Sequence, residues 1–572
     1  MKKQILIGTD CFDELIENNF FYVDKTLFIK ELLEKRGKAT LITRPRRFGK
    51  TMNMWMLDTF FDIRRDTKHL FEGLKIMEHE DIINKYLNKF PTIFLSLKGV
   101  EEPTYNEVIG NVKSMISEIF QNNMYLLESD KLNDIQKQKF LKFCEEKENV
   151  SELKKSLKFL TECLYIYHQK RTIVLFDEYD VPLDNANNEG FYPKMIKFMR
   201  GFMGQLFKSN KYLEFGVLTG CIRISKEGLF SSFNNPVIRG LMDKDFSTCF
   251  GFTEEEVKES CKLYDLENKY DEVKKWYNGY RFGGIEMYNP WSIANYLQTK
   301  EFDIYWVNTG STNTLQEMFY KGDENLRNDL AGLLTDIPIQ MSLEDTFTYP
   351  IDNVSSNKFW SLFLYAGYIK PCNGAKKGKF YAELVNYEIK HVFSNYAEQW
   401  LSKIKPNISK IVVDFVSNLL KGDVEKVSEI LNKNLLKTPS YHDFKVENSY
   451  HMFIFGILIA VAEEYSVVSN QESGEGRSDC MIRPYDKNKY AAVIEFKHET
   501  KASMSLKQIA IEGLNQIENK SYIRTLKNEG YDKIYKYSIA FYKKKCEVVM
   551  CTNGVSSLIV SVISDHRPSV GN

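Results

Sequence analysis

The first half of the chain contains a short set of residues with the types and spacing to hold a phosphate: Gly49, Lys50 and Thr51, in the sequence TLITRPRRFGKT. An apolar run that breaks into Gly-Lys-Thr and then a helix is typical of a P-loop. In that motif backbone N–H groups surround phosphates, the lysine reaches the β and γ oxygens, and the hydroxyl binds Mg²⁺. Arg44 stands where the motif has its first glycine, and Pro45 lacks an N–H. The alternative interpretation is a basic loop at a helix start.

A second set lies at the end of the stretch RTIVLFDEYD, residues 171–180. A continuous apolar run that ends in paired carboxylates predicts a buried parallel strand with chemistry at its carboxyl end. We expect Asp177 to hold Mg²⁺ through its water shell and Glu178 to orient the water that attacks the γ-phosphate, as a Walker B strand does. The alternative is a strand that ends in solvated acids.

A further apolar strand, residues 212–219, ends at Thr219 and leads to Arg223. A polar side chain at such a strand end is placed to sense the γ-phosphate, and the arginine to stabilise charge in the transition state. A turn glycine followed by a surface arginine explains the same residues equally well.

A third set lies near the carboxyl terminus, in the strands DCMIRP and YAAVIEFK. Glu495 and Lys497 are two residues apart and so share one face of their strand, and the neighbouring strand brings Asp479 alongside. Two carboxylates with the carbonyl of Phe496 suit Mg²⁺-assisted phosphodiester cleavage, and the lysine activates water or steadies the phosphate. Gln516 follows on a helix. By itself E-x-K usually marks a solvated strand edge, but the apolar neighbours here favour burial.

Composition limits the class of protein that can position these sets. The 572 residues exceed one core and predict about three or four domains. Lys plus Arg and Asp plus Glu both number 77, so net charge gives no signal for nucleic acid. The ten cysteines include no C-x-x-C pair, and the N-terminus lacks an apolar signal region, which favours a reducing cytoplasm. The most apolar run, residues 452–462, is too short to cross a membrane.

The middle of the chain carries weaker signals. Thr253 with Glu256 forms a capping box and begins a helical lid subdomain. Residues 358–401 predict helix, hairpin and helix, which resembles a winged-helix unit. We favour an inter-domain spacer over a DNA-binding unit because no helix in it is markedly basic.

The ordered motifs together resemble a bacterial family of AAA-ATPase-like proteins with a C-terminal PD-(D/E)XK nuclease-superfamily domain. The similarity extends from about residue 7 to residue 542, and the RPRRFGKT form of the P-loop is itself typical of that family. The motifs that carry it are FFYVDKT, LITRPRRFGKT, LFDEYDVPL, LTGCIRIS, FGFTEEEV, YNGY, YNPWS, YHMFIFGIL, GRSD, EFK and LNQIE.

The resemblance implies a multi-domain α/β protein, in which a mostly parallel sheet has helices on both faces. The expected domains are a P-loop ATPase domain (1–250), a helical lid (251–349), a winged-helix-like linker (350–436) and a nuclease-like domain (437–572). The nucleotide-site candidates are Arg46, Arg47, Phe48, Gly49, Lys50, Thr51, Asp177, Glu178, Thr219 and Arg223; the nuclease candidates are Asp479, Glu495, Lys497 and Gln516.

The leading functional hypothesis is an ATP-binding, ATP-hydrolysing protein whose nucleotide state controls a Mg²⁺-dependent nuclease. The expected partners are ATP and nucleic acid, with DNA favoured over RNA, no membrane, and a homo-oligomer as a further hypothesis. The family's nuclease fold implies phage defence or mobile-element biology. The alternative is a non-enzymatic nucleotide switch or scaffold with an inactive nuclease fold, which the irregular P-loop favours.

Overall fold

The apolar runs of the first 240 residues form one parallel sheet in the computed structural model of the chain. The strand order is β2-β3-β4-β1-β5 and every pairing is parallel. Every residue of β1 and β3 is buried, as expected for strands covered on both faces. The strands are β1 (Ala39–Thr43), β2 (Thr92–Ser96), β3 (Thr172–Asp177), β4 (Leu213–Gly220) and β5 (Val237–Arg239).

The structure describes most of the chain, with gaps. Within residues 465–479 it describes the backbone alone. The described residues are 2–223, 229, 236–306, 324–334, 337–344, 355–372, 378–394, 408–435, 465–473, 476–498, 505–519, 523–542, 545–552 and 559–560.

The register of the first sheet brings the carboxyl ends of its strands to one edge. Thr43 of β1 pairs with Gly220 of β4, and Ser96 of β2 pairs with Asp177 of β3. Phosphate sites in open α/β folds lie at this edge. The predicted mostly parallel α/β sheet is confirmed.

Helices cover both faces of this sheet. On one face α3 packs through Trp55 against Phe94 and through Phe61 against Phe215, with ring centroids 4.8 and 5.8 Å apart. On the other face α6, α9 and α11 share one apolar core with the strands. The helices up to residue 299 are α1 (Phe12–Glu17), α2 (Leu27–Lys35), α3 (Lys50–Phe61), α4 (Lys68–Phe71), α5 (Glu80–Tyr86), α6 (Tyr105–Gln121), α7 (Asp134–Cys144), α8 (Val150–Leu153), α9 (Ser156–His168), α10 (Val181–Asn188), α11 (Tyr192–Phe207), α12 (Glu254–Leu263), α13 (Tyr270–Tyr277) and α14 (Pro290–Thr299).

Two small sheets follow. A two-stranded ribbon of β6 and β7 precedes a three-stranded sheet with the order β8-β10-β9. The elements α16, the β9–β10 hairpin and α17 follow one another as helix, hairpin and helix, which is the predicted order. The elements are β6 (Tyr280–Phe282), β7 (Ile285–Met287), α15 (Glu324–Leu334), β8 (Ile339–Ser342), α16 (Ser356–Ala366), β9 (Ile369–Pro371), β10 (Lys379–Leu384) and α17 (387–394).

The C-terminal part is built on a six-stranded mixed sheet. The strand order follows the sequence, from β11 to β16, and the β13–β14 pair is parallel while the other pairs are antiparallel. β11 is not predicted from the sequence. The elements are α18 (Ile408–Lys421), α19 (Val424–Leu435), β11 (Tyr465–Ser473), β12 (Gly476–Pro484), β13 (Ala491–His498), α20 (Leu506–Asn519), α21 (Arg524–Asn528), β14 (Ile534–Tyr542), β15 (Lys545–Thr552) and β16 (Ile559–Val560).

Helices also cover this second sheet on two sides. The side chains of Val493, Ile509 and Leu514 share one apolar core between the sheet and α20. On the opposite face the Tyr537 hydroxyl donates to the Leu419 carbonyl of α18 (2.6 Å). β13 is covered on both faces and is apolar along most of its length, and Glu495 is buried with it.

The chain divides into two compact units. One contains the described residues of Met1–Leu315 and Gln340–Ile389, and the other those of Gln316–Ile339 and Lys390–Asn572. The four-domain division predicted from the sequence stays a prediction. Over the described residues, no helix combines the length and hydrophobicity needed to cross a membrane.

Candidate functional site

The loop between β1 and α3 has the backbone of a phosphate-binding turn. Gly49 immediately precedes α3 and has a φ of 76°, a left-handed conformation that favours glycine. A Cβ added to Gly49 would meet no atom within 4 Å, so the space beside it is open. An open space at the N-terminus of a 12-residue helix suits an anion.

Lys50 is the first residue of that helix and is 4% exposed. Its Nζ donates to the carbonyls of Arg44 (3.3 Å) and Pro45 (3.1 Å) and to the Sγ of Cys221 (3.4 Å). The ammonium therefore lies inside the loop, held by groups that a phosphate oxygen is able to replace.

Asp177 accepts hydrogen bonds from hydroxyls on three different elements. The Oγ1 of Thr51 donates to its Oδ2 (2.8 Å), the Oγ of Ser96 donates to the same oxygen (3.2 Å), and the Oγ1 of Thr219 donates to its Oδ1. The carboxylate is fully buried. The structure thus joins the ends of β2, β3 and β4 to the start of α3, and brings together three of the residues predicted from the sequence.

Glu178 follows Asp177 and has a φ of 51°. A left-handed backbone at a residue other than glycine is strained and is often found at functional sites. Burial raises the pKa of the Glu178 carboxyl; the charge of Lys50 opposes this, while Asp177 and Asp180 add to it. A glutamate with a raised pKa next to Asp177 has the property that a general base requires.

Asp180 is a site residue that the sequence analysis missed. Its Oδ2 accepts the backbone N–H groups of Cys221 (2.7 Å) and Ile222 (2.9 Å), which fixes the turn after β4 beside Lys50. A Cβ on Gly220 would lie 2.6 Å from its Oδ1, so this approach requires glycine. The available signal was the third carboxylate of FDEYD, since an acid three residues after Asp177 returns to the same strand end.

The loop residues before Gly49 differ in what they offer a nucleotide. The Phe48 ring is 1% exposed and packs edge-on against Tyr280 and Phe282, so only its backbone is able to bind phosphate. The side chains of Arg46 and Arg47 are exposed, and the Arg47 guanidinium lies 4.2 Å from the Trp291 ring centroid.

Arg223 lies three residues beyond β4 and is half-buried. Among the described contacts, none joins its side chain to Lys50 or Asp177. Its proposed role in the transition state stays a prediction.

In the C-terminal sheet, Lys497 connects two of the predicted nuclease residues. Its Nζ donates to the Oε1 of Glu495 (3.0 Å) and to the Oε1 of Gln516 on α20 (2.7 Å). Glu495 is 2% exposed. The structure therefore brings a buried carboxylate, an ammonium and an amide together at the interface of β13 and α20.

The fourth predicted residue, Asp479, precedes Cys480, which pairs with Ile494 of β13. The backbone register thus gives Asp479 a position next to that of Glu495, while its side chain lies outside the described part of the structure. Among the side chains that are described, no group of three His, Cys, Asp or Glu residues is arranged to hold a metal ion. Glu495 fits one ligand of such a site, and the assignment of Asp479 as its partner stays a prediction.

Two family models match this chain, one in each half. Residues 6–230 match the model of a family described as predicted AAA-ATPase, and residues 445–550 match the PD-(D/E)XK nuclease superfamily. An uncharacterized protein in the vnfD 5′ region of Azotobacter chroococcum mcd 1 is 28% identical over 321 residues. That similarity covers 55% of this chain and 56% of the relative, so it spans little more than half of either protein.

Proposed function

We propose that this protein is an ATPase whose nucleotide state controls a Mg²⁺-dependent nuclease. The matches to an AAA-ATPase-like domain and to a PD-(D/E)XK nuclease superfamily domain support this proposal. The observation that supports the ATPase part of this proposal is the hydrogen bonding of Asp177. Its carboxylate accepts from the hydroxyls of Thr51 and Thr219, and Thr51 follows Lys50 directly in α3. We propose a cytoplasmic protein that acts on DNA in preference to RNA, in phage defence or mobile-element biology. Assembly as a homo-oligomer is part of the same hypothesis.

In the nucleotide site, Thr51 and Asp177 would hold Mg²⁺, which would neutralise phosphate charge when bound. Lys50 donates to phosphate oxygens from the position in which the carbonyls of Arg44 and Pro45 hold it, and Gly49 allows close approach of the backbone. Glu178 accepts the proton of the attacking water because burial favours its protonated form. Thr219 keeps Asp177 oriented.

In the nuclease site, Glu495 and Asp479 would hold the metal. Lys497 donates to the phosphate or to the attacking water, and Gln516 orients Lys497 through the hydrogen bond to its Nζ (2.7 Å). The burial of Glu495 beside Lys497 supports this assignment. Removing a carboxylate from water costs free energy, and a bound metal and phosphate would offset that cost.

The alternative is a nucleotide-dependent switch with an inactive nuclease fold, and the observation that favours it is Arg44 in place of the first P-loop glycine. Titration calorimetry with MgATP, phosphate release and cleavage of labelled single- and double-stranded DNA and RNA distinguish the two. Binding without cleavage of any substrate, with ATP and Mg²⁺ or Mn²⁺ present, supports the switch. No binding of ATP contradicts both.

A further inference from the structure

Arg44 occupies the position of the missing P-loop glycine, and its side chain is fully buried. Its backbone N–H donates to the Gly220 carbonyl (3.1 Å), which extends the pairing of β1 and β4 beyond the last strand residue. The first residue of the loop is thus held by the sheet, and its side chain leaves the sheet toward the segment that follows β5.

The guanidinium of Arg44 is surrounded by backbone carbonyls. Its Nη1 donates to the carbonyls of Thr43 (2.8 Å), Gly240 (3.1 Å) and Arg239 (3.4 Å). Its Nη2 donates to the carbonyls of Phe246 (2.9 Å) and Asp245 (3.5 Å). We call the carbonyls of Thr43, Arg239, Gly240, Asp245 and Phe246 the carbonyl cup.

Aromatic rings complete the surroundings of this cation. The Phe282 and Phe250 ring centroids lie 5.1 and 5.6 Å from the guanidinium carbon. Burial lowers the pKa of Arg44 to about 10, so the side chain stays charged at neutral pH. A cation satisfies several buried carbonyl dipoles at once, and a glycine at this position would remove the charged donor that these carbonyls share.

The segment that supplies most of the carbonyl cup is fixed by its own contacts. The Gly240 N–H donates to the Asp243 carboxylate (2.8 Å), and the Arg239 Nε lies 2.8 Å from the Asp245 carboxylate. Arg44 therefore joins the P-loop to a turn that is itself rigid, on the side of β1 where β5 pairs.

We propose that Arg44 is a positioning residue for the P-loop lysine. The main-chain carbonyl of Arg44 accepts from the Lys50 Nζ (3.3 Å), and the next carbonyl, that of Pro45, accepts from it too (3.1 Å). By anchoring its side chain in the carbonyl cup, Arg44 fixes the two carbonyls that hold Lys50. In a P-loop with two glycines, the backbone conformation holds the loop in place. Here the anchored Arg44 side chain holds it, without contacting phosphate.

Restoring the consensus glycine at position 44 should therefore release Lys50 from its position in the loop. The test uses the full-length chain and the variants Arg44→Gly and Arg44→Lys. Lysine keeps the charge, but an ammonium cannot bridge both sides of the carbonyl cup as a planar guanidinium does. The matched control is Arg281→Lys, because the Arg281 side chain is only 9% exposed and also donates to a carbonyl, that of Pro371 (2.7 Å).

The first readout is the acetylation rate of Lys50 by trace acetic anhydride, measured by peptide mass spectrometry. Lys536, which is equally buried at 4% exposure, is the reference within the same chain. We expect both Arg44 variants to raise the Lys50/Lys536 rate ratio on the order of tenfold, the equivalent of one lost hydrogen bond to a charged group, and Arg281→Lys to leave it unchanged. An unchanged ratio in Arg44→Lys overturns the proposal, and this variant decides the matter if Arg44→Gly does not fold.

The second readout is MgATP affinity by titration calorimetry, and this arm rests on the proposed function. We expect both variants to bind on the order of tenfold more weakly than wild type. Binding by Arg44→Gly as tight as wild type overturns the proposal. Weaker binding with an unchanged Lys50 rate ratio also overturns it, because Arg44 would then contact the nucleotide itself. A wild type that binds no ATP refutes the proposed function, while the acetylation rates still decide the role of Arg44.

Discussion

Two of the candidate groups at the residue scale are charged side chains removed from water, and their chemistry follows from that burial. Burial raises the pKa of Glu178, and the nearby Asp177 and Asp180 strengthen the effect against the opposing charge of Lys50. Glu495 is buried beside Lys497 in the same manner. A charge that is kept inside a protein needs a specific partner. For Glu495 this partner is the hydrogen-bonded Lys497, and at Glu178 the nearby charge of Lys50 opposes the rise in pKa.

We predict that Glu178→Gln keeps ATP binding and lowers turnover by roughly 100- to 10,000-fold, since a glutamine cannot accept the proton of the attacking water. In wild type, the base works only when deprotonated. Because its pKa is raised, turnover should fall, as pH is lowered, at a higher pH than an ordinary glutamate would give. Phosphate release measured across pH, with calorimetry as the control for binding, tests this, and undiminished turnover in the variant would exclude Glu178 as the base.

We predict that Lys497→Ala weakens cleavage by about 100-fold but leaves metal affinity unchanged, because a charged lysine donates hydrogen bonds and does not ligate Mg²⁺. Gln516→Ala should have a smaller effect in the same direction, since Gln516 acts by orienting the Lys497 ammonium. Mn²⁺ titration calorimetry and cleavage rates separate the two properties. Loss of metal binding in Lys497→Ala would contradict this assignment.

At the element scale, α20 carries Gln516 and must approach β13 and β14 closely. Gly513 makes this approach: a Cβ there would lie 2.2 Å from the Oγ of Ser538 and 3.2 Å from the Cγ of Lys497. Ser538 is fully buried and pairs in register with Glu495. The distance between helix and sheet is therefore set by a missing side chain.

We predict that Gly513→Ala destabilises the protein by about 1–3 kcal/mol, the usual cost of overpacking a tight contact, and also weakens cleavage. Adding Ser538→Ala removes the oxygen nearest to the new methyl group and should restore part of the stability. Urea unfolding of the two single variants and the double variant gives the coupling energy. Additive effects would show that Gly513 and Ser538 do not share this contact.

A second close arrangement of elements joins α17 and α14 to the P-loop. The buried carboxylate of Glu388 accepts the N–H groups of Tyr305 (2.8 Å) and Trp306 (2.7 Å) and the hydroxyl of Ser292 (2.9 Å). The Trp306 indole in turn donates to the carbonyl of Arg46 (3.1 Å). The loop is thus connected to a carboxylate more than 300 residues away in sequence.

Burial raises the pKa of Glu388 from 4.5 to about 7, even though three donors favour its charged form. The folded state therefore binds a proton that the unfolded state has released between these pH values, so stability falls as pH rises through this range. We predict a loss of about 3 kcal/mol between pH 4.5 and 7, absent in Glu388→Gln. Urea unfolding as a function of pH checks this, with the exposed Glu118→Gln as control. The same slope in Glu388→Gln would assign the effect to other groups.

At the scale of the whole molecule, the two candidate sites belong to different compact units. We predict that Lys50→Ala abolishes ATP binding. We also predict that Glu495→Ala abolishes cleavage and leaves ATP affinity within about twofold of wild type, since this substitution removes a proposed metal ligand in one unit and none of the nucleotide-site residues of the other. Calorimetry and cleavage assays on both variants test this. If Lys50→Ala also loses ATP-dependent cleavage, the nucleotide controls the nuclease; cleavage that is indifferent to ATP and to Lys50→Ala contradicts the coupling.

Features that depend on residues close together in the chain could be predicted before the structure. The largely apolar runs at residues 172–177 and 491–496 form buried strands, and Thr253 with Glu256 forms the predicted capping box. The convergence of Lys50 and Asp177 also followed from local signals, because parallel strands end at one sheet edge and a loop after a strand must begin there. β11 was missed, since its nine residues lack an apolar run or a regular alternation.

The tertiary structure alone decided what each charged group contacts. Four of the five carbonyls of the carbonyl cup lie about 200 residues from Arg44 in sequence, and backbone carbonyls leave no signature in the residue types that supply them. The same holds for Asp180 with the turn after β4 and for Glu388 with Trp306. Hydrogen bonds act over about 3 Å, so a shift of one helical turn would replace every one of these partners. Only packing at that precision establishes that an arginine serves where a glycine is expected.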